Sequence, residues 1–317
     1  MRTMIVLHSL SDEQIQSIQL KASDWRIICG DDKGAWLPHL QEAEIICGWK
    51  PEIAEQCLSG DTKLKWVQAW GAGVEKLPLE ELNQHGILVT TASGVHPIPT
   101  SETVFAMMLS FSRKVHHSVR NQVNKRWQPT SNLGEIHGKT IGIVGVGAIG
   151  AEIARLAKAF EMNVLGVRRT GYSSANVDQM FDIHGLRNVL EESDYVVVTT
   201  PLTNQTRHMF SWEQFRVMKR SAYYINIGRG GTTHTEALIA ALQGGEIAGA
   251  GLDVFEQEPL PVDNPLWDMD NVIITPHNGG ITDQYHNRAV EILLINLGSY
   301  LEGKEPTLNL VNLIEQY

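Results

Sequence analysis

Three segments in the last third of the chain each run from an apolar stretch into polar residues of catalytic type. "AYYINIGRGG" delivers Arg229, "GAGLDVFEQEP" delivers Asp253, Glu256 and Glu258, and "NVIITPHNGG" delivers His277. Guanidinium, carboxylate and imidazole are the groups with which proteins hold anions and move protons. Any one of them alone is an ordinary loop charge. At successive strand exits they form a candidate catalytic set, and Pro276 biases Thr275 toward an extended backbone, which fixes where His277 leaves its strand.

Upstream lies a turn suited to phosphate. "GVGAIG" puts Gly145, Gly147 and Gly150 in the G-x-G-x-x-G spacing, after the apolar run "TIGIV" and before the amphipathic "AEIARLAKAF". In that context the first glycine allows the tight turn, the second lets a pyrophosphate approach, and the third lets helix pack on strand. The turn, Ala148 and Ile149 included, is therefore assigned to a dinucleotide. A residue about 20 positions on reads the adenosine ribose, commonly through a carboxylate. Here Arg168 stands 18 residues after Gly150, with Arg169 and Thr170 behind it. A guanidinium fork matches phosphate oxygens, so the expected cofactor is NADP(H), with NAD(H) possible.

The elements that must carry these residues follow an alternating pattern. Short apolar runs at 3–8, 25–30, 44–49, 64–70 and 86–91 are separated by helical stretches, one opened by a capping-box pair, Ser11 and Gln14. The two "IICG" runs read as neighbouring strands. After a proline-marked hinge at 93–103 and a long helix near 101–126, further strands are predicted near 140–145, 163–168, 195–200, 222–227, 247–252 and 271–275. This is the βαβ rhythm of parallel sheets. A last helix over 285–303 is long enough to cross back to the first domain. The expected class is α/β, with a discontinuous small domain at 1–98 plus 288–317 and a nucleotide domain at 99–287.

Composition narrows the function classes. With 317 residues, 43% hydrophobic and 20% charged, the chain can fill two ordinary cores, and its net charge of −10 argues against a nucleic-acid or anionic-membrane binder. Cys29, Cys47 and Cys57 lack metal or disulfide spacing, so no metal site is read. The apolar stretch in "MRTMIVLH" is too short for a signal peptide or a membrane span, and a cytoplasmic protein is expected.

Together, "WGAGVEKL", "GKTIGIVGVGAIG", "TTPLTNQTRHMF", "INIGRGG", "GAGLDVFEQEPL" and "ITPHNGG" stand in the order and spacing of one family. The chain resembles the D-isomer-specific 2-hydroxyacid dehydrogenases, in detail the glyoxylate/hydroxypyruvate reductase branch. The resemblance implies two Rossmann-like doubly wound domains, the smaller flavodoxin-like, with the active-site cleft between them. It implies that Arg229 grips the carboxylate and carbonyl oxygen of a small 2-keto acid. His277 then acts as general acid/base and Glu258 orients its imidazole. By the same likeness Ala72 and Gly73 offer amides to the carboxylate, and Trp49, Lys50 and Trp70 are candidates to face the substrate side chain. Thr200, Pro201 and Leu202 should border the adenine with Thr206 nearby. Ile227, Gly228 and Gly279 should flank the nicotinamide ribose, and Asp253 should meet the carboxamide region. A homodimer through the nucleotide-binding domains is also implied. Two other readings fit the same motifs: an NAD-linked enzyme like phosphoglycerate dehydrogenase, and a cofactor-sensing corepressor-type binding protein.

Overall fold

The computed structural model describes residues 1–60, 62–74 and 76–313. Glu75 of "WGAGVEKL" and residues 314–317 of the expected small domain lie outside them. Along the chain the elements are β1 (Thr3–Val6), α1 (Asp12–Lys21), β2 (Arg26–Cys29), α2 (Lys33–Trp36), β3 (Ala43–Cys47), α3 (Pro51–Cys57), β4 (Trp66–Gln68), α4 (Leu79–Gln84) and β5 (Leu88–Thr90). Then come α5 (Pro97–Ser112), α6 (Val115–Val123), β6 (Thr140–Val144), α7 (Ala148–Ala159), β7 (Asn163–Val167), β8 (Gln179–Phe181), α8 (Leu186–Glu192) and β9 (Tyr195–Val198). The series ends with α9 (Trp212–Val217), β10 (Tyr223–Asn226), α10 (Thr235–Gln243), β11 (Gly249–Leu252), β12 (Val272–Ile274) and α11 (Tyr285–Leu301). The chain divides into two compact units, Met1–Val95 with Thr282–Tyr317, and His96–Ile281.

The first unit holds a five-stranded sheet in the order β2-β1-β3-β4-β5, every pair parallel. Side chains of a strand alternate between faces, and both faces of β1 are apolar. Met4 and Val6 pack with Ile18 of α1 and Leu293 and Leu297 of α11, while Ile5 and Leu7 pack with Trp36, Ile53 and Leu82 on the opposite side. Each such side chain, fully buried, contributes about 1.5–3 kcal/mol, which favours this register over a one-residue slip. The "IICG" runs do not pair with each other. They become β2 and β3, one on each side of β1, because the chain reverses direction across the sheet at that point.

The second unit holds seven parallel strands in the order β12-β11-β10-β9-β6-β7-β8, the doubly wound order with one strand added beyond β11. Val144, Val196, Val198 and Tyr224 face α8, α9 and α10, and Ile141, Ile143, Val197 and Ile225 face α5 and α7. Two further sequence expectations need correction. The long helix near 101–126 is two helices, broken where Lys114 takes a left-handed backbone at φ 54. The helix also starts inside the proposed hinge, since Pro97 and Pro99 fall in the first turn of α5, where a missing N–H leaves no intrahelical bond unmade. No helix among the described residues is long and apolar enough to cross a membrane.

Candidate active site

In a sheet of this order, ligands bind beyond the carboxyl ends of the strands, at the point where the chain changes direction. In the second unit that point lies between β6 and β9. Gly145 leaves β6 with φ 106, and a Cβ there would stand 2.8 Å from Thr199 Oγ1 and 2.9 Å from the Thr200 amide. The turn therefore closes only on glycine, and the Thr199 hydroxyl donates to the Gly145 carbonyl. Gly147 differs: nothing lies within 4 Å of where its Cβ would be. No packing demand in the protein explains this glycine, whereas a ligand resting on the turn does. Gly147 caps α7, whose first intrahelical bond runs from the Ala151 amide to the Gly147 carbonyl. The amides of Ala148, Ile149 and Gly150 are thus free of helical partners and gathered at the positive end of the helix, an arrangement that suits a pyrophosphate.

Beside the turn, β7 ends at Val167 and is followed by Arg168, whose amide donates to the carbonyl of Phe181 of β8. Arg168 is half-buried, and Arg169 and Thr170 are exposed. Among the described residues neither guanidinium has an ion-pair partner. On the other side, the loop after β9 is held by Thr206, whose hydroxyl accepts from the Thr203 amide and donates to the Pro201 carbonyl, both at 2.7 Å. Pro201 and Leu202 are exposed beside the half-buried Thr200, and Ile227 and Gly228 are buried at the end of β10.

The candidate catalytic groups leave three adjacent strands, β10, β11 and β12. His277 Nδ1 lies 2.7 Å from Glu258 Oε2, and Glu258 Oε1 accepts from the Phe255 amide at 2.9 Å. The carboxylate is an acceptor, so Nδ1 carries the proton toward it and Nε2 is left to act on a ligand. Both side chains are partly open to solvent. Arg229 is exposed, with its Nη1 donating to the Gly228 carbonyl. No hydrogen bond joins Arg229 to His277 or Glu258.

Two buried residues arrange this edge, and neither role was read from the sequence. Asn226 Nδ2 donates to the Arg229 carbonyl and to the Thr232 and Thr233 hydroxyls, while its Oδ1 accepts from the Gly228 amide at 3.0 Å. It thereby staples the loop that presents Arg229. Asp253, expected only near the cofactor, accepts from Thr275 Oγ1 at 2.6 Å and from the amides of Asn278 at 3.1 Å and Gly279 at 3.0 Å. These bonds bracket His277, which sits at φ 53, a backbone state uncommon outside glycine. Glu256 faces elsewhere: it accepts from His208 Nε2 and from the Thr235 amide, each at 2.6 Å. Burial pushes its carboxyl up, but these bonds outweigh it and hold the group below the usual carboxylate range.

In the first unit, Trp49 is half-buried just after β3. Ala72 and Gly73 are exposed after β4, and neither amide donates to a described residue. Such free amides can hold an anion.

The sequence model of the D-isomer specific 2-hydroxyacid dehydrogenase NAD binding domain matches residues 105–279. A glyoxylate reductase of Korarchaeum cryptofilum is 38% identical over 258 residues, covering 79% of this chain and 76% of its own. A D-isomer specific 2-hydroxyacid dehydrogenase family protein from Aeromonas salmonicida superposes with a TM-score of 0.81 at 32% identity, over 98% of this chain and 99% of that one. An NADPH-dependent glyoxylate/hydroxypyruvate reductase from Sinorhizobium meliloti, solved with NADP and sulfate, gives 0.80 at 26% identity over 100% of both chains.

Proposed function

The chain belongs to the D-isomer specific 2-hydroxyacid dehydrogenase family, and from that premise we propose that it reduces small 2-keto acids of the glyoxylate and hydroxypyruvate kind to D-2-hydroxy acids, with NADPH preferred over NADH. It is an oxidoreductase that uses a nicotinamide cofactor. The observation that carries the proposal is the His277–Glu258 pair at 2.7 Å, on the same sheet edge as the free amides of the glycine turn.

A reduced nicotinamide cofactor, when bound, supplies the hydride to the keto carbon. His277 gives the proton from Nε2 to the keto oxygen, so the C=O group becomes C–H and O–H. Glu258 keeps the imidazole turned for that transfer and offsets its positive charge. Arg229 holds the substrate carboxylate through its fork, and Trp49, Ala72 and Gly73 are assigned to substrate binding in the first unit. Arg168, Arg169 and Thr170 take the added phosphate of NADP(H). Thr200, Pro201, Leu202 and Thr206 border the adenine, and Ile227, Gly228, Asp253 and Gly279 face the nicotinamide end. The protein forms a homodimer through its second unit, where Val115, Val119 and Val123 make an exposed i, i+4, i+8 stripe on α6, continued by Trp127 at 96% exposure.

Purified protein incubated with NADPH or NADH and a panel of 2-keto acids tests this through the loss of reduced-nicotinamide absorbance. Turnover of glyoxylate or hydroxypyruvate, with kcat/KM about tenfold or more in favour of NADPH, is the expected result. No turnover on any acid would leave a binding protein and overturn the proposal.

A further inference from the structure

Glu256 stands two residues before Glu258 yet turns to different partners. The segment after β11 lies backbone to backbone against the loop after β10: a Cβ on buried Gly230 would stand 1.9 Å from the Phe255 carbonyl and 2.6 Å from the Glu256 amide. That loop is in turn sewn to the one after β9. There the His208 amide donates to the Gly231 carbonyl at 2.9 Å and the Phe210 amide to the Thr232 carbonyl at 3.0 Å. Phe255, Glu256 and Gln257 also border an open cleft of about 410 Å³, shared with His234, Leu260 and Pro261. Packing alone therefore does not hold the segment in place.

Two hydrogen bonds of one carboxylate do. Glu256 Oε2 accepts from the Thr235 amide at 2.6 Å, one of the N–H groups that the first turn of α10 leaves without a helical partner. Oε1 lies 2.6 Å from His208 Nε2, which carries the proton because a carboxylate only accepts. No other hydrogen bond among the described residues joins the loop after β9 to the segment after β11. His208 takes a left-handed backbone at φ 52, a state disfavoured in a residue with a Cβ. The His234 ring lies edge-on to it with centroids 5.0 Å apart, and His234 Nδ1 accepts from the Ala237 amide. From Glu256 the restraint reaches the candidate catalytic pair through one peptide. The Phe255 amide donates to Glu258 Oε1, and Glu258 Oε2 meets His277 Nδ1.

We propose that Glu256 is a positioning residue: by bridging His208 and the Thr235 amide it clamps the Phe255–Glu258 turn and so keeps the Glu258 carboxylate aligned on His277. The inference rests on the reading that His277 exchanges a proton with the keto oxygen, and it adds to that reaction a residue that acts through another. Without the clamp, Glu258 strays from the imidazole and the ring is less often turned for transfer, a misplacement that lowers turnover. Arg229 is held separately, by Asn226, so its grip on the substrate carboxylate survives.

The test is a double-mutant cycle on kcat for glyoxylate at saturating reduced cofactor. Glu256→Ala should lower kcat about five- to twentyfold while the keto-acid KM stays within about twofold. Glu256→Gln, which keeps the shape and an acceptor for the Thr235 amide, should return kcat to within about threefold of wild type. In a Glu258→Ala background, where the carboxylate to be aligned is gone, Glu256→Ala should cost less than about twofold more. Where Glu256→Ala does not fold, His208→Asn takes its place, since asparagine tolerates the left-handed backbone but draws the donor back. It should cost about two- to fivefold in kcat alone and almost nothing beside Glu258→Ala. Losses that add in full in the Glu258→Ala background, or wild-type kcat in the single variants, would overturn the inference. Glu258→Ala protein as active as wild type, or wild-type protein that reduces no keto acid, would instead sink the underlying reading and this inference with it.

Discussion

His277 has one ring nitrogen committed to Glu258, so any proton it exchanges with substrate passes through Nε2. In the proposed reaction, reduction consumes the imidazolium and oxidation needs the neutral ring. The reductive rate should therefore decline as pH rises, and the oxidative rate should decline as pH falls, when both are followed with saturating cofactor. His277→Ala should lower kcat by about 10²- to 10⁴-fold with little change in cofactor KM. A variant that keeps near-normal turnover would remove His277 from the chemistry. The types of Arg229, Glu258 and His277 could be picked out in the sequence because each ends an apolar run. Asn226 could not: it sits inside the run "AYYIN", where a buried polar residue looks like an interruption, and its partners are recognisable only once the loop has folded back. It is 1% exposed, so Asn226→Ala strands several donors and acceptors in the interior. That change should lower stability by about 1–3 kcal/mol and raise KM for the keto acid more than for the cofactor. Denaturant unfolding and steady-state kinetics on one preparation measure both effects.

Among elements, the strands buried on both faces were legible because parallel sheets demand continuous apolar runs, as in "TIGIV" and "YVVV". What escaped were features set by neighbours. The edge strand β8 is the three residues "QMF", too short to show a period, and exists because it pairs with β7. That edge bears on the proposed cofactor choice, since the Arg168 amide is anchored to Phe181 of β8 and its guanidinium has no ion-pair partner among the described residues. Replacing both Arg168 and Arg169 by Ala should cut kcat/KM with NADPH by about tenfold to a hundredfold and leave NADH nearly unchanged. Equal losses with both cofactors would mean that the arginines support the fold rather than read a phosphate. The break between α5 and α6 is likewise invisible in a basic, helix-like run. It rests on Lys114 in the left-handed region, a state costing about 1 kcal/mol in a residue with a Cβ, so Lys114→Gly should raise Tm modestly. A lower Tm would show that the lysine side chain contributes more there than the backbone strain removes.

At the scale of the whole molecule, His8, whose ring stacks on Trp70 with centroids 5.0 Å apart and lies 5.8 Å from the ring of His286, should make the first unit sensitive to mild acid. Burial, and then the neighbouring His286, push His8 down to about 4, with Asp31 opposing and Lys50 adding to the shift. Unfolded, the ring titrates near an ordinary value of about 6.5. A histidine whose folded pKa is depressed contributes stability that is complete above the unfolded value. As pH falls the unfolded chain binds the proton first, and that contribution is lost progressively between about 6.5 and 4. The lowered carboxylates, Glu44 beside Arg2 and Asp178 held by the Val164 amide and Lys158, act later, since their stabilisation is lost only as pH falls below the ordinary carboxylate range. His116 and His117, pushed down chiefly by burial, add a smaller effect of the same sign in the second unit. Thermal unfolding followed from pH 7 toward 5 should therefore show Tm falling before the pH reaches the ordinary carboxylate range. His8→Phe, which keeps a ring against Trp70 but cannot be charged, should flatten that fall while leaving the Tm near pH 7 close to wild type. If the variant and the wild type decline in parallel, His8 is not the group through which acid acts, and the stacked cluster tolerates its charge.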